Sequence, residues 1–177
     1  MPGITTEPMT ETQYINYFET LARLNTTINH TDEVPRFYVT RQDNLTELVL
    51  ALRNRLQLPC VVIDQYYDEL LRTNDNYRLR IQGGLSVLVR CTKSSPDDVR
   101  RAQSEARTIA LSFLNRMYLD SRTPGTLLHA NRVTVATEFN GEAYPTVAEI
   151  ATGWGYAIDW LAPTSVTVEP ADWSDRQ

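Results

Sequence analysis

The stretch that decides the fold is PDDVRRAQSEARTIALSFLNRMY, residues 96–118. Its apolar residues recur at intervals of three and four, the pattern of one buried helical face. They are Val99, Ala102, Ala106, Ile109, Ala110, Phe113, Leu114 and Met117. Proline fits the first turn of a helix, and the carboxylates of Asp97 and Asp98 suit its positive end. The sequence therefore predicts a long amphipathic helix over Pro96–Tyr118.

Alternating segments on both sides of this helix predict a sheet on which it packs. Leu85–Cys91 (LSVLVRC) precedes it, and Trp154–Trp160 (WGYAIDW) follows it. Such alternation is the period of a strand with one buried face. The other face of the later strand carries only small residues and one acid: Gly153, Gly155, Ala157 and Asp159. This bare face predicts the close approach of a backbone, either from within the chain or from another subunit.

Shorter patterns complete the expected element order. Helices are predicted at about 12–24 and 45–57, and strands at 36–40, 60–67, 77–82, near Val133 and Val135, and at 165–169. Gly83-Gly84 predicts a bulge or a bend, and Pro163 predicts the end of the strand that begins near Trp154. Runs of strands joined by short turns predict an α+β fold: a largely antiparallel sheet with two to three helices packed on one face.

The length of 177 residues predicts one domain with appended segments. We divide the chain into an N-terminal arm, helix and loop (1–42), an α+β core (43–162) and an acidic C-terminal extension (163–177).

Charge and composition exclude several classes of function. The net charge of −5 argues against nucleic acid as a partner, although Tyr77, Arg78 and Arg80 form one dense basic and aromatic patch. No apolar run is long enough to span a membrane, and no secretion signal is evident, which predicts a cytoplasmic protein that does not bind membranes. Cys60 and Cys91 lie in apolar runs, which predicts buried free thiols.

Motifs for catalysis and cofactors are weak. Gly83-Gly84 lacks the further glycine and the lysine of a phosphate-binding loop, so we expect no nucleotide cofactor. His30 and His129 are isolated, which predicts no metal site. A small hydrolase that uses His129, or the carboxylates of Asp64 and Asp68, remains an alternative. A small-ligand or regulatory α+β module is the other alternative.

The charge is unevenly distributed. Residues 76–132 are rich in arginine, whereas residues 138–177 are acidic. Such a split favours head-to-tail self-assembly through complementary surfaces, although ordinary solubilising surface charge would look the same.

The order of elements resembles the tail-terminator or cap proteins at the neck and tail end of tailed phages and contractile injection systems. The resemblance covers about residues 43–162. It rests on the strand 85–90, the Ser-Pro-Asp-Asp helix start at 95–98, the helix 99–118 and the final strand at 153–160, which begins Gly-Trp-Gly-Tyr.

The resemblance implies a non-enzymatic structural protein, without cofactor, that forms a ring, usually sixfold. Such a ring would stop polymerisation of a tube or sheath and would bind sheath, inner tube or another cap subunit. Combined with the charge split, it makes ten residues our interface candidates: Arg78, Arg80, Arg100, Arg101, Arg107, Glu142, Glu149, Trp154, Tyr156 and Asp159.

Overall fold

A computed structural model describes residues 9–41, 45–73, 76–164 and 174 of the chain. In chain order the elements are α1 (Glu11–Leu24), β1 (Phe37–Thr40), α2 (Leu45–Asn54), β2 (Cys60–Asp64), β3 (Tyr67–Thr73), β4 (Asn76–Arg90), α3 (Pro96–Asp120), α4 (Leu127–Ala130), β5 (Thr134–Val135), β6 (Gly141–Val147) and β7 (Ala151–Thr164). The predicted strand at 165–169 and the arm at 1–8 lie outside the described residues.

One sheet is built around the long antiparallel pair of β4 and β7, which stay in register from Tyr77–Thr164 to Arg90–Ala151. On the other edge of β4, β3 pairs near its start and β2 near its end, and β1 extends the sheet as a parallel neighbour of β2. On the other edge of β7 lie β6 and β5. The predicted α+β fold with a largely antiparallel sheet is therefore confirmed.

The helix face of the sheet, as we name the face covered by α1 and α3, holds the main core. Trp160 of β7 is fully buried there and contacts three aromatic rings of α1, with centroids 5.5 Å from Tyr14, 5.7 Å from Tyr17 and 5.5 Å from Phe18. Leu128 of α4 joins the same core. Helix α1 and helix α3 therefore contribute side chains to the same hydrophobic core.

Helix starts follow the local sequence. Thr10 and Gln13 form a capping box at α1, in which the Thr10 hydroxyl accepts from the Gln13 amide at 3.2 Å. Ser95 caps α3, with Pro96 in the first turn, as predicted. The sequence Asn44-Leu-Thr-Glu47 also predicts a capping box for α2, but Asn44 lies outside the described residues.

The second face of the sheet, opposite α1 and α3, is only partly covered. Here α2 forms a separate small core through Leu48 and Leu52 against Cys60, Val62 and Leu88. Residues 60 and 62 alternate with Val61 and Ile63 of the main core, so they point to the opposite side. Two main helices and α4 share one face as predicted, but the helix expected at 45–57 packs on the other.

Two details of the predicted strands are wrong. The strand β4 runs without a break through Gly83-Gly84. The irregularity lies instead in the chain that pairs with β4: β2 ends at Asp64, and β3 begins at Tyr67 with its register on β4 shifted by one residue. Pro163 does not end β7 but pairs opposite Arg78. It is tolerated because β5 pairs only as far as Leu161, so the missing N–H lies at an unpaired edge.

Candidate interaction surface

The uncovered part of the second face lies where β3, β4 and β7 run side by side. We call it the flat patch, and define it by the side chains that cross-strand register places on this face: Tyr67, Glu69, Leu71, Arg78, Arg80, Gln82, Asp159 and Leu161. Tyr67 is 52% exposed, and Arg78 and Gln82 are also exposed. No helix among the described residues packs here, because α2 lies over the other end of this face. The patch is therefore a mixed apolar and charged surface without a partner from the described chain.

An ion pair occupies the centre of the flat patch. The guanidinium of Arg80 binds both carboxylate oxygens of Asp159, with Nε at 3.1 Å from each and Nη2 at 2.5 Å from Oδ2. Glu69 lies 3.8 Å from the same guanidinium. Hydrogen bonding to Asp159 raises the pKa of Arg80. The predicted interface residues Arg80 and Asp159 thus pair with each other across neighbouring strands, which fixes the orientation of both side chains.

The arginines of α3 lie far from this patch. Arg100 pairs with Asp97 at 2.5 Å, and Arg101 pairs with Asp98 and Glu105, each at 2.8 Å. Arg101 also donates to the carbonyl of Arg90, at the far end of β4.

Arg90 lies twelve positions after Arg78 along β4, a span of about 40 Å. Arg100, Arg101 and Arg107 are carried by the helix that covers the opposite face of the sheet. The five candidate arginines therefore do not form one face, because they lie on two sides and at two ends of the sheet.

The remaining interface candidates differ in accessibility. Trp154 is half-buried beneath the guanidinium of Arg107, 5.8 Å from the ring centroid. Tyr156 is 8% exposed and belongs to the main core, so its ring has little surface for a neighbour. Glu149 pairs with Lys93 at 2.8 Å, which lowers the pKa of its carboxyl group. Glu142 is exposed.

A second feature of this face is a trough of about 450 Å³, which we call the glycine trough. Its lining includes Asp64, Gly84, Ser86, Glu142, Tyr144 and Gly155. A Cβ on Gly84 would lie 2.1 Å from Oδ2 of Asp64, so this carboxylate rests in the space that glycine leaves. The Thr40 hydroxyl donates to the same carboxylate at 2.9 Å.

The opposite side of the same strand meets Tyr14 of α1. A Cβ on Gly83 would lie 2.3 Å from its hydroxyl, which is buried and makes no hydrogen bond within the described chain. Burial, and then the charge of Asp64, raise the pKa of Tyr14. Sequence reasoning missed this arrangement, although the glycine pair was its signal.

The groups considered for hydrolysis do not converge. Asp64 lies on the second face, whereas Asp68 is in register with Ile81 and therefore points to the helix face. His129 is exposed on α4, where its amide donates to Thr126. Both thiols are buried and free, as predicted, and burial raises the pKa of Cys60 to about 12. The geometry therefore gives no general acid–base pair from these residues.

Across the described ranges, no cluster of three or more His, Cys, Asp or Glu side chains is placed to hold a metal ion, and no helix is long and apolar enough to cross a bilayer. Neither a protein-family model nor a curated protein sequence matches this chain.

Proposed function

We propose that this chain is a non-enzymatic assembly protein that caps or terminates the end of a phage-like tail, or of the sheath or tube of a contractile injection system. It works as a ring of identical subunits and binds sheath, inner tube or another cap protein. It is cytoplasmic until it is incorporated into the particle. The resemblance of residues 43–162 to tail-terminator proteins supports this proposal, and so does the α+β architecture in which α1 and α3 share one face of the sheet.

The observation that carries the proposal is the flat patch. The end of a helical polymer offers unsatisfied strand edges or apolar grooves, and a subunit that covers them without offering an equivalent surface stops growth. The patch is suited to such a contact because it places apolar side chains such as Tyr67 and Leu71 around a fixed Arg80–Asp159 pair. Interfaces typically combine apolar and aromatic contacts with arginine in this way.

The test is polymer length. Purified tube or sheath subunits would be polymerised with and without this protein, and polymer lengths would be measured by electron microscopy. We expect shorter polymers that carry extra density at one end. Unchanged lengths and bare ends would contradict the proposal.

Variants make this test specific. Leu71→Lys introduces a charge into the flat patch and should abolish the shortening. Leu50→Lys makes the same change at an exposed leucine of α2, 51% accessible, and should not. Equal loss in both variants would mean that the patch is not the docking surface.

A second candidate function, a small-ligand module, is favoured by the glycine trough. Its 450 Å³ is within the range of ligand sites, and its charged groups, Asp64 and Glu142, are both acidic. Saturation-transfer NMR with a panel of small amines would test this function. Binding that disappears in Asp64→Asn would support a ligand module, and no binding by the wild-type protein would dismiss it.

A further inference from the structure

The outer edge of β3 is the most exposed strand edge in the described sheet. Along Tyr67–Thr73 one edge pairs with β4, and no described strand pairs with the other. The remaining outer strands are less suited to pairing, since β6 contains Pro145, β1 has four residues and β5 has two. In contrast, β3 has seven residues, no proline, and exposed side chains at Tyr67 and Leu70, each 52% accessible.

The sequence that follows β7 has the alternating pattern of a strand that could pair with such an edge. Residues 165–169 read Ser-Val-Thr-Val-Glu, with valines alternating and every second residue polar. Thr164 pairs with Tyr77, one residue from the start of β4. A chain that continues in the direction of β7 therefore passes beyond the end of the sheet.

The chain's own β3 edge is out of reach for this segment. From β7 to a strand added outside β3, the path crosses β4 and β3, three strand spacings or about 14 Å. At about 3.3 Å per residue, the crossing uses about four residues, which leaves only Glu169 before Pro170. A segment of this length that crossed the sheet would have no residues left to pair, so an acceptor edge for it would have to come from another molecule.

We propose that the outer edge of β3 binds residues 165–169 of a second copy of this chain. This inference rests on the proposed function and deepens it, because it names the contact between neighbouring subunits of the ring. Main-chain hydrogen bonds along β3 supply the affinity, as in other cases where an extended segment adds to a sheet edge. Since side chains alternate, Val166 and Val168 fall on one face of the extended sheet.

The acceptor edge carries charges of both signs, because Asp68 and Glu69 of β3 are exposed beside the arginine of β4. Arg78 is exposed on β4 beside β3, and makes no ion pair with any described residue. The incoming segment is acidic, with Glu169 and Asp172 following the valines. A donor segment at one end of the subunit and an acceptor edge elsewhere also give a head-to-tail contact, which closes into a ring when the rotation permits.

Disulfide trapping between two full-length variants tests the contact. One protein carries Val168→Cys, and the other carries Leu70→Cys or Leu71→Cys, so that both faces of β3 are sampled. Paired strands hold Cα atoms within about 4.5–5.5 Å, which suits a disulfide. The native thiols, Cys60 and Cys91, are buried. The matched control pairs Val168→Cys with Leu50→Cys, an exposed position on α2.

We expect a mixed disulfide at one β3 position, in a yield at least about tenfold greater than at the control position. A tenfold ratio is what the burial of one valine side chain would add to the binding constant. Equal yields at β3 and at the control would overturn the inference. A synthetic peptide of residues 165–173 gives a second readout, because at about 1 mM it should shift the amide resonances of residues 67–73. A peptide with lysine at both valine positions is its control. Shifts that are absent, or equal for both peptides, would also overturn the inference.

The two proposals fail separately. If trapping fails but polymers are still shortened, the β3 contact is wrong and capping stands. If trapping succeeds but polymer length is unaffected, the subunit contact stands and capping is wrong.

Discussion

The packing of β4 against β7 makes a sharp prediction at Gly153. A Cβ at this position would lie 1.9 Å from the carbonyl oxygen of Val87 and 2.9 Å from its carbonyl carbon. Backbone of a central strand cannot rotate away, so Gly153→Ala must separate the two longest strands. Overpacking of this kind costs about 1–3 kcal/mol, and a backbone obstacle belongs at the upper end. The gain from restricting the unfolded chain, about 0.4–1 kcal/mol, offsets part of it.

The neighbouring Gly155 is the matched control. Its Cβ would lie 2.7 Å from the Ser86 hydroxyl, with the nearest backbone atom 3.7 Å away. A hydroxyl can rotate aside, so Gly155→Ala should change the free energy of unfolding by less than about 0.5 kcal/mol. We expect Gly153→Ala to lose about 2 kcal/mol net, or about 4–8 °C in Tm.

Urea denaturation measures this difference, provided that the slope m is unchanged between the proteins. Two results would refute the reasoning. One is a Gly153→Ala protein as stable as the wild type. The other is an equal loss of stability in both variants.

Three further predictions concern contacts that hold the elements together. Tyr17→Phe removes the hydrogen bond from Tyr17 to buried Asp120, 3.0 Å long, and should lower the free energy of unfolding by about 1.5–3 kcal/mol in denaturation. Trp160→Ala should cost about 3–5 kcal/mol and should speed amide exchange in α1 more than in α2, because its ring packs against α1. A double-mutant cycle on Arg80→Ala and Asp159→Ala should give a favourable coupling energy that weakens with added salt. A coupling energy of zero would show that the Arg80–Asp159 ion pair is not formed in solution.

Much of the fold could be predicted because its signals are local and periodic. The repeat that ends at Met117 and the alternation from Trp154 to Trp160 each indicate one element and its buried face. Capping residues such as Thr10 and Ser95 add the helix starts. These features depend on neighbours within a few residues, which the sequence displays directly.

The placement of α2 could not be obtained from its own residues, because its apolar stripe fits either side of a sheet. The signal lay instead in β2, where Cys60–Ile63 are four consecutive buried residues. A strand with both faces buried needs cover on both sides of the sheet, which is what α2 supplies.

The candidate surface depends on register, and register is not local. Arg80 and Asp159 are 79 residues apart in the chain, and they meet only because β4 and β7 pair with Arg80 opposite Leu161. One residue of slip would move Asp159 to the other face, away from Arg80. Charge counting along the sequence grouped Arg80 with Arg101, whereas the strand pairing separates them to opposite ends of the sheet.

The two proposed contacts, at the β3 edge and at the flat patch, involve the same sheet and must be compatible with each other. A ring subunit must hold its neighbours and still present a free surface to the polymer. Pairing at the β3 edge uses backbone groups in the plane of the sheet, whereas the flat patch uses side chains that project from its second face, such as Tyr67 and Leu71. Adding a strand beside β3 extends this face rather than covering it. Ring closure would therefore enlarge the capping surface, and a variant that breaks the β3 contact should weaken binding to a polymer end even though the flat patch is intact.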